Sequence, residues 1–285
     1  MAREIQRVGV VGCGLMGSGI VEVIARSGLD AVVVERDEAS LRDGLGRIER
    51  STQKAVDRGK VSIQERAALL KRVDGRTELD SLLDCDIVIE AASEDIAVKI
   101  AIFDRLDTIL SPETVLCTNT SSIPIAELAA ATGRPDRIVG THFFNPPPVM
   151  ALLEVVRGLM TSDETVEAAR SLGERLGKRV VLSKDRAGFI VNWLLMPYLN
   201  SAVRMLEEGF ASREDIDQAV VLGLAHPMGP LQLLDLIGLD TALAISDVLY
   251  DEFKDPLYAP PPLLKRMVTA GFLGRKTQHG FYEYP

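Results

Sequence analysis

The stretch Val8-Gly9-Val10-Val11-Gly12-Cys13-Gly14-Leu15-Met16-Gly17 passes from an apolar strand pattern into Gly-x-Gly-x-x-Gly, and a helical pattern follows from Leu15 to Arg26. In a strand–turn–helix of this kind the first glycine permits a tight bend. The second lets backbone approach a pyrophosphate, and the third lets helix pack on strand. The helix N-terminus then offers unpaired N–H groups and a partial positive charge to phosphate. A second apolar run, Ala31-Val32-Val33-Val34, ends at Glu35, eighteen residues past Gly17. A carboxylate there binds the two hydroxyls of an adenosine ribose and repels a 2′-phosphate, so the pattern predicts NAD rather than NADP. Arg36 beside it offers a guanidinium that would partly accommodate that phosphate.

Working outward, strand-like runs recur at Val8–Val11, Ala31–Glu35, Asp86–Ala91, Thr114–Thr118, Arg137–Thr141, Leu152–Val156 and Arg179–Leu182, mostly separated by helical patterns. Alternation of this kind predicts a parallel, doubly wound α/β sheet. From about Gly188 the pattern changes. Phe189 to Glu208, Ser212 to Leu224, Gly229 to Leu236 and Leu239 to Phe253 all read as helices with no strand signal between them. An all-α domain over 185–285 is therefore expected after a Rossmann-type domain over 1–184, with the boundary near Lys184-Asp185-Arg186-Ala187. Ser212-Arg213-Glu214-Asp215 reads as a capping-box helix start, Pro197 as a kink, and Pro260-Pro261-Pro262 as a local turn or loop.

The second strand-to-helix connection, 37–72, is long and reads as a helical pair projecting from the sheet, its second helix opening at the capping box Ser62-Ile63-Gln64-Glu65. On the first helix Arg47, Arg50, Lys54 and Arg58 recur at spacings of three and four and share a face, with Lys60 just beyond. Asp43, Glu49 and Asp57 could balance them as an ordinary solvated face. On a chain of net charge −9, a cationic stripe beside a cofactor domain instead suggests a second phosphate-bearing ligand.

The 285 residues suffice for two cores, and 47% hydrophobic with 26% charged residues is an ordinary globular composition. The acidic balance argues against nucleic acid as a partner. Cys13, Cys85 and Cys117 lie in or beside apolar runs without metal-ligand spacing, as small core residues of a reducing compartment. The first strand begins within a few residues of Met1 and no apolar run is long enough to span a bilayer, so the expected location is cytoplasmic.

Of the three histidines, His226 and His279 have no evident carboxylate partner in the sequence. His142 ends the run Arg137–Thr141 and opens Phe143-Phe144-Asn145-Pro146-Pro147-Pro148, at the strand edge where ligands of doubly wound sheets bind. Twelve residues on, Glu154 sits inside Leu152-Leu153-Glu154-Val155-Val156, where a carboxylate is costly to bury unless paired. The alternative is a glutamate on the solvent face of an edge strand. If Glu154 accepts from one ring nitrogen it fixes the tautomer, and the other nitrogen serves as the base that takes a proton from an alcohol. Asn119-Thr120-Ser121-Ser122 follows a predicted strand; its hydroxyls bind substrate or cap the helix begun at Pro124, capping being the better reading for Ser122. Asn192, an amide in an apolar helical stretch, needs partners, of which a substrate carbonyl is one.

On these residues the chain resembles the L-3-hydroxyacyl-CoA dehydrogenase family, and its stand-alone bacterial 3-hydroxybutyryl-CoA members above all. The likeness runs through Gly12–Gly19, Asn119–Ser122, His142–Pro146, Leu153–Val156, Asp185–Asn192, Glu214–Asp217, His226–Pro230, Gly274–Thr277 and Gly280–Tyr282. It implies that His142 is the general base with Glu154 orienting it, and that Ser121 and Asn192 hold the substrate's C3 oxygen and thioester. It implies a cofactor site of Gly12, Gly14, Leu15, Met16, Gly17, Glu35, Ala92, Glu94, Lys99, Asn119, Asn145 and Lys276. It also implies that Lys54 meets coenzyme A phosphates, which gives the stripe with Arg50 and Lys60 a role as a substrate-binding face, and that a homodimer forms through the C-terminal helices. Trp193 stands where the family usually has arginine. The expected reaction is reversible NAD-dependent oxidation of short (S)-3-hydroxyacyl-CoA thioesters. Its rivals are a dehydrogenase of free hydroxy or sugar acids and a non-enzymatic, crystallin-like NAD-binding protein.

Overall fold

The computed structural model describes residues 5–285, in two compact units, Met1–Asp185 and Arg186–Pro285. In the first unit the chain runs β1 (Arg7–Val11), α1 (Leu15–Arg26), β2 (Asp30–Val34), α2 (Glu38–Asp57), α3 (Ile63–Leu70), β3 (Val73–Arg76) and β4 (Ile87–Glu90). It continues through α4 (Ile96–Ile109), β5 (Val115–Thr118), α5 (Ile125–Ala130), β6 (Ile138–Phe143), β7 (Leu152–Arg157), α6 (Asp163–Arg175) and β8 (Arg179–Lys184). The eight strands form one sheet in the order β3-β2-β1-β4-β5-β6-β7-β8. The central strands are buried on both faces, hence their unbroken Val/Ile character. Helix α1, buried from Gly17 to Ala25, contributes Ile20, Val21 and Ile24 to the main core.

Three features depart from the sequence reading. Strand β3 is short, polar and at the sheet edge, and gave no apolar run to recognise. Strand β7 is antiparallel to β6, so the sheet is mixed rather than wholly parallel. The connection from Phe144 to Ala151 contains no helix, and a link that short returns the chain only in the opposite direction. Because β8 pairs with the far side of β7, Glu154 lies on an interior strand and not on an edge.

Local signals elsewhere explain the helix starts. Asp37 accepts from Ser40 N–H at the head of α2, and Ser62 with Glu65 forms the expected capping box at α3. Ser122 does not cap α5. The Asp185 carboxylate takes the Ile125 and Ala126 N–H groups instead, at 3.0 and 2.9 Å, a contact sixty residues away in sequence that no local pattern signals.

The second unit is wholly helical apart from single β-bridges: α7 (Val191–Glu207), α8 (Arg213–Gly223), α9 (Pro230–Ile237), α10 (Leu239–Phe253) and α11 (Pro262–Thr269). Its core gathers Met196, Leu199, Val203, Leu231, Leu234, Leu249 and Leu264. Helix α7 begins two residues later than its apolar pattern because Phe189 adopts φ +46°, and it continues through Pro197. The triple proline is not merely a loop: Pro262 opens α11, where its fixed φ and missing N–H suit a helix start. Trp193 packs against Phe253 (ring centroids 4.6 Å apart) with the Arg186 guanidinium 5.2 Å over its indole. A cation–aromatic contact thus holds the Trp193 indole in place.

Candidate active site

The order of strands reverses between β1 and β4, and at their C-terminal ends a cleft of about 970 Å³ opens. Gly12, Gly14, Leu15, Met16, Glu35 and Ala92 line it. Gly12 needs its φ of +97°, and a Cβ there would lie 2.7 Å from the Ala91 carbonyl oxygen. At Gly17, buried beneath the turn, a Cβ would collide with the Gly12 carbonyl. Gly14 differs from both. It has an ordinary φ of −67°, and a Cβ on it would meet no protein atom within 4 Å. The space above Gly14 is thus open at the head of α1, where the backbone of such a turn can be approached by a pyrophosphate.

The far wall is set by Glu35. Its carboxylate accepts from Cys13 N–H at 2.6 Å and from Arg36 N–H at 3.0 Å, which fixes an anion at the end of β2 where a ribose would lie. Arg36 turns to Asp37 (3.1 Å). The donor and acceptor set fits NAD. Arg47 also lines the cleft, reaching the Cys13 carbonyl at 3.4 Å, so the basic stripe divides: its first member belongs to the dinucleotide cleft. Arg50, Lys54 and Lys60 are exposed, and neither Asp43, Glu49 nor Asp57 forms an ion pair with them among the described residues.

At the end of β6, His142 stands opposite Glu154 in the antiparallel register, and His142 Nδ1 lies 2.7 Å from Glu154 Oε2. Both side chains are buried, Glu154 completely. With Glu154 as a carboxylate, Nδ1–H donates and Nε2 carries the basic lone pair. The loop beyond is pinned on two sides. Pro147 fills the space above Gly19 of α1, and the Lys178 ammonium donates to the carbonyls of Pro147 (2.5 Å) and Met150 (2.8 Å). Burial lowers the pKa of Lys178 from the usual lysine range. Asn145 is exposed on this loop.

Asn119, at the end of β5, accepts from Phe143 N–H at 2.9 Å and so locks the end of β5 to the strand that carries His142. Two residues on, Ser121 N–H donates to Glu94 at 3.0 Å, and the Thr120 and Ser122 hydroxyls reach the same oxygen. Lys99 does not line the cleft. It is 1% exposed, with its ammonium on both oxygens of Glu90 (2.7 and 2.9 Å) and 3.3 Å from Glu94. Neither Glu90 nor Asp185 stood out in the sequence. Glu90 closes an apolar strand as Glu154 interrupts one, and that was the available signal. Asn192 is buried in the first turn of α7 in the second unit; there too the Lys276 ammonium is held 2.6 Å from both oxygens of Asp240.

A doubly wound sheet with a phosphate-ready turn at its switch point, an acid fixed at the end of β2 and a buried histidine–carboxylate pair at the same sheet edge defines an NAD-dependent dehydrogenase. The chain matches the 3-hydroxyacyl-CoA dehydrogenase NAD binding domain over residues 7–186 and the 3-hydroxyacyl-CoA dehydrogenase C-terminal domain over 188–284. It belongs to the 3-hydroxyacyl-CoA dehydrogenase family. It is 53% identical to a 3-hydroxybutyryl-CoA dehydrogenase of Mycobacterium tuberculosis over the whole of both chains. The solved (S)-3-hydroxybutyryl-CoA dehydrogenase of Ralstonia eutropha superposes with a TM-score of 0.94 at 46% identity, over 99% of this chain and 100% of that one. The human mitochondrial hydroxyacyl-coenzyme A dehydrogenase is 42% identical, over 98% of this chain and 91% of its own.

Proposed function

We propose that this enzyme catalyses the reversible NAD-dependent oxidation of (S)-3-hydroxyacyl-CoA to 3-ketoacyl-CoA, with 3-hydroxybutyryl-CoA and acetoacetyl-CoA preferred. The observation that carries the reading is the buried His142–Glu154 pair, 2.7 Å apart at the ligand-binding edge of the sheet. The cofactor, when bound, supplies the hydride acceptor. In oxidation His142 Nε2 takes the hydroxyl proton, and Glu154 holds the ring and stabilises the imidazolium that results. In reduction the same nitrogen returns a proton to the ketone oxygen. Ser121, with its backbone held by Glu94, and Asn192 orient the C3 oxygen and the thioester carbonyl. Arg50, Lys54 and Lys60 meet coenzyme A phosphates, which is the use of an unpaired cationic face on an acidic chain. Gly17, Asn119 and Asn145 shape the cofactor site from the turn and the strand ends. Large exposed apolar side chains on the second unit, Phe210, Leu222 and Leu224 among them, support pairing of two copies through the C-terminal helices. Among the described residues no helix is long and apolar enough to cross a membrane.

The test follows NADH absorbance with acetoacetyl-CoA, with acetoacetate and NADPH as parallel controls. Oxidation of NADH by the thioester alone is expected. Turnover of free acetoacetate at a comparable rate would favour a hydroxy-acid dehydrogenase, and no turnover despite NADH binding would favour a binding protein.

A further inference from the structure

The Glu90 carboxylate is fully buried at the end of β4. Its two oxygens take the Lys99 ammonium, one takes Ala92 N–H (2.7 Å) and the other the Thr118 hydroxyl at the end of β5 (2.7 Å). Four hydrogen bonds from three donors fix the carboxylate in a single rotamer and fix Lys99 with it. Lys99 then holds the second oxygen of Glu94, while the first oxygen of Glu94 receives Ser121 N–H and the Thr120 hydroxyl. A chain of carboxylate, ammonium and carboxylate therefore runs from the middle of the sheet to the backbone of Ser121. A purely structural ion pair would end at Lys99. Here the buried pair is extended to Glu94, a half-exposed acid whose remaining bonds all go to the Thr120–Ser122 turn.

We infer that Glu90 is a positioning residue for the reaction: through Lys99 and Glu94 it sets the place of Ser121, and so the orientation of the substrate oxygen, without touching substrate itself. The inference rests on the role proposed above for Ser121. Removing the Glu90 charge leaves Lys99 facing Glu94 alone, and the ammonium then draws that carboxylate inward and away from the Ser121 N–H. Displacement of a positioning group by about 1 Å costs on the order of 10²-fold in rate.

The experiment is a double-mutant cycle of Glu90→Gln and Ser121→Ala, read as kcat and KM for acetoacetyl-CoA, the NADH dissociation constant and the thermal midpoint. Each single variant is expected to lose about 10- to 100-fold in kcat/KM for the thioester, with NADH affinity within about twofold of the parent. The double variant should be no worse than the poorer single one, because both changes act through one group. Should Glu90→Gln not fold, the charge-neutral Glu90→Gln/Lys99→Met pair serves in its place and is expected to lose a similar factor in kcat/KM for the thioester, since Glu94 then lacks the ammonium that holds its second oxygen. Multiplying losses in the cycle, parallel loss of NADH binding, or full activity in Glu90→Gln or in the neutral pair would overturn the inference while Ser121 keeps its role. A fully active Ser121→Ala would remove Ser121 from the reaction and overturn the inference with it.

Discussion

His142 and Glu154 face each other across the one antiparallel strand pairing that the sheet has among the described residues, and their 2.7 Å contact follows from that register. A helical crossover would have made β7 parallel to β6 and carried Glu154 elsewhere. The short proline-rich return folds the chain back on itself, so that two residues twelve apart in sequence become cross-strand neighbours. The rigidity of the loop, pinned by Lys178 and by Pro147 on α1, thus bears directly on the geometry of the base.

The glycine-rich turn separates cofactor affinity from stability. Gly14→Ala adds a methyl group that meets no protein atom, so its thermal midpoint should stay within about 2 °C of the parent while NADH affinity falls about tenfold or more. Gly17→Ala drives a methyl group into the Gly12 carbonyl and should lower the midpoint by several degrees. Calorimetry beside NADH fluorescence titration separates the two. Unchanged NADH affinity in Gly14→Ala would remove the pyrophosphate from this turn.

Charge reversal on the exposed face of α2 tests the second phosphate site. Arg50→Glu/Lys54→Glu should raise KM for acetoacetyl-CoA by about tenfold or more, with kcat and KM for NADH little changed. The effect should shrink as salt rises. An equal KM in parent and variant at low ionic strength would assign the coenzyme A phosphates to other residues.

The three cysteines are buried in the fold. Burial pushes the Cys13 and Cys117 thiols up to about 12 and Cys85 up to about 11, from an ordinary 9.0. At pH 8 the native protein should therefore leave a thiol reagent almost untouched, and denaturant should expose three groups. Raised folded-state values mean that between pH 9 and about 12, or about 11 for Cys85, the folded chain binds more protons than the unfolded one. Stability is then whole below pH 9 and declines as pH rises through that window, by up to about 1.4 kcal/mol per pH unit for each thiol. Rapid labelling of the native protein at pH 8 would contradict the burial.

Much of this was legible in the chain. Helices Leu15–Arg26 and Leu239–Phe253 lie where their periodicity places them, and Ser62 and Ser212 cap as their spacing suggests. The pairing of His142 with Glu154 was legible because a carboxylate in an apolar run has to find a partner. Strand direction was not, since it depends on the length of a connection and not on the strand's own residues. The resemblance alone puts Lys99 at the cofactor site; the sequence carries no sign of its burial or of its contact with Glu90, nine residues earlier at the end of β4. Asp185 was hidden for the same reason, as its helix lies sixty residues upstream.

The most direct measurement is single-turnover reduction of acetoacetyl-CoA by NADH in His142→Gln and Glu154→Gln beside the parent, with NADH dissociation constants taken on the same samples. Chemistry slowed by at least about 10²-fold in both variants, with NADH binding retained, is the expected result. Turnover in either variant at the parent's rate would contradict the dyad and with it the proton transfer assigned to this pair.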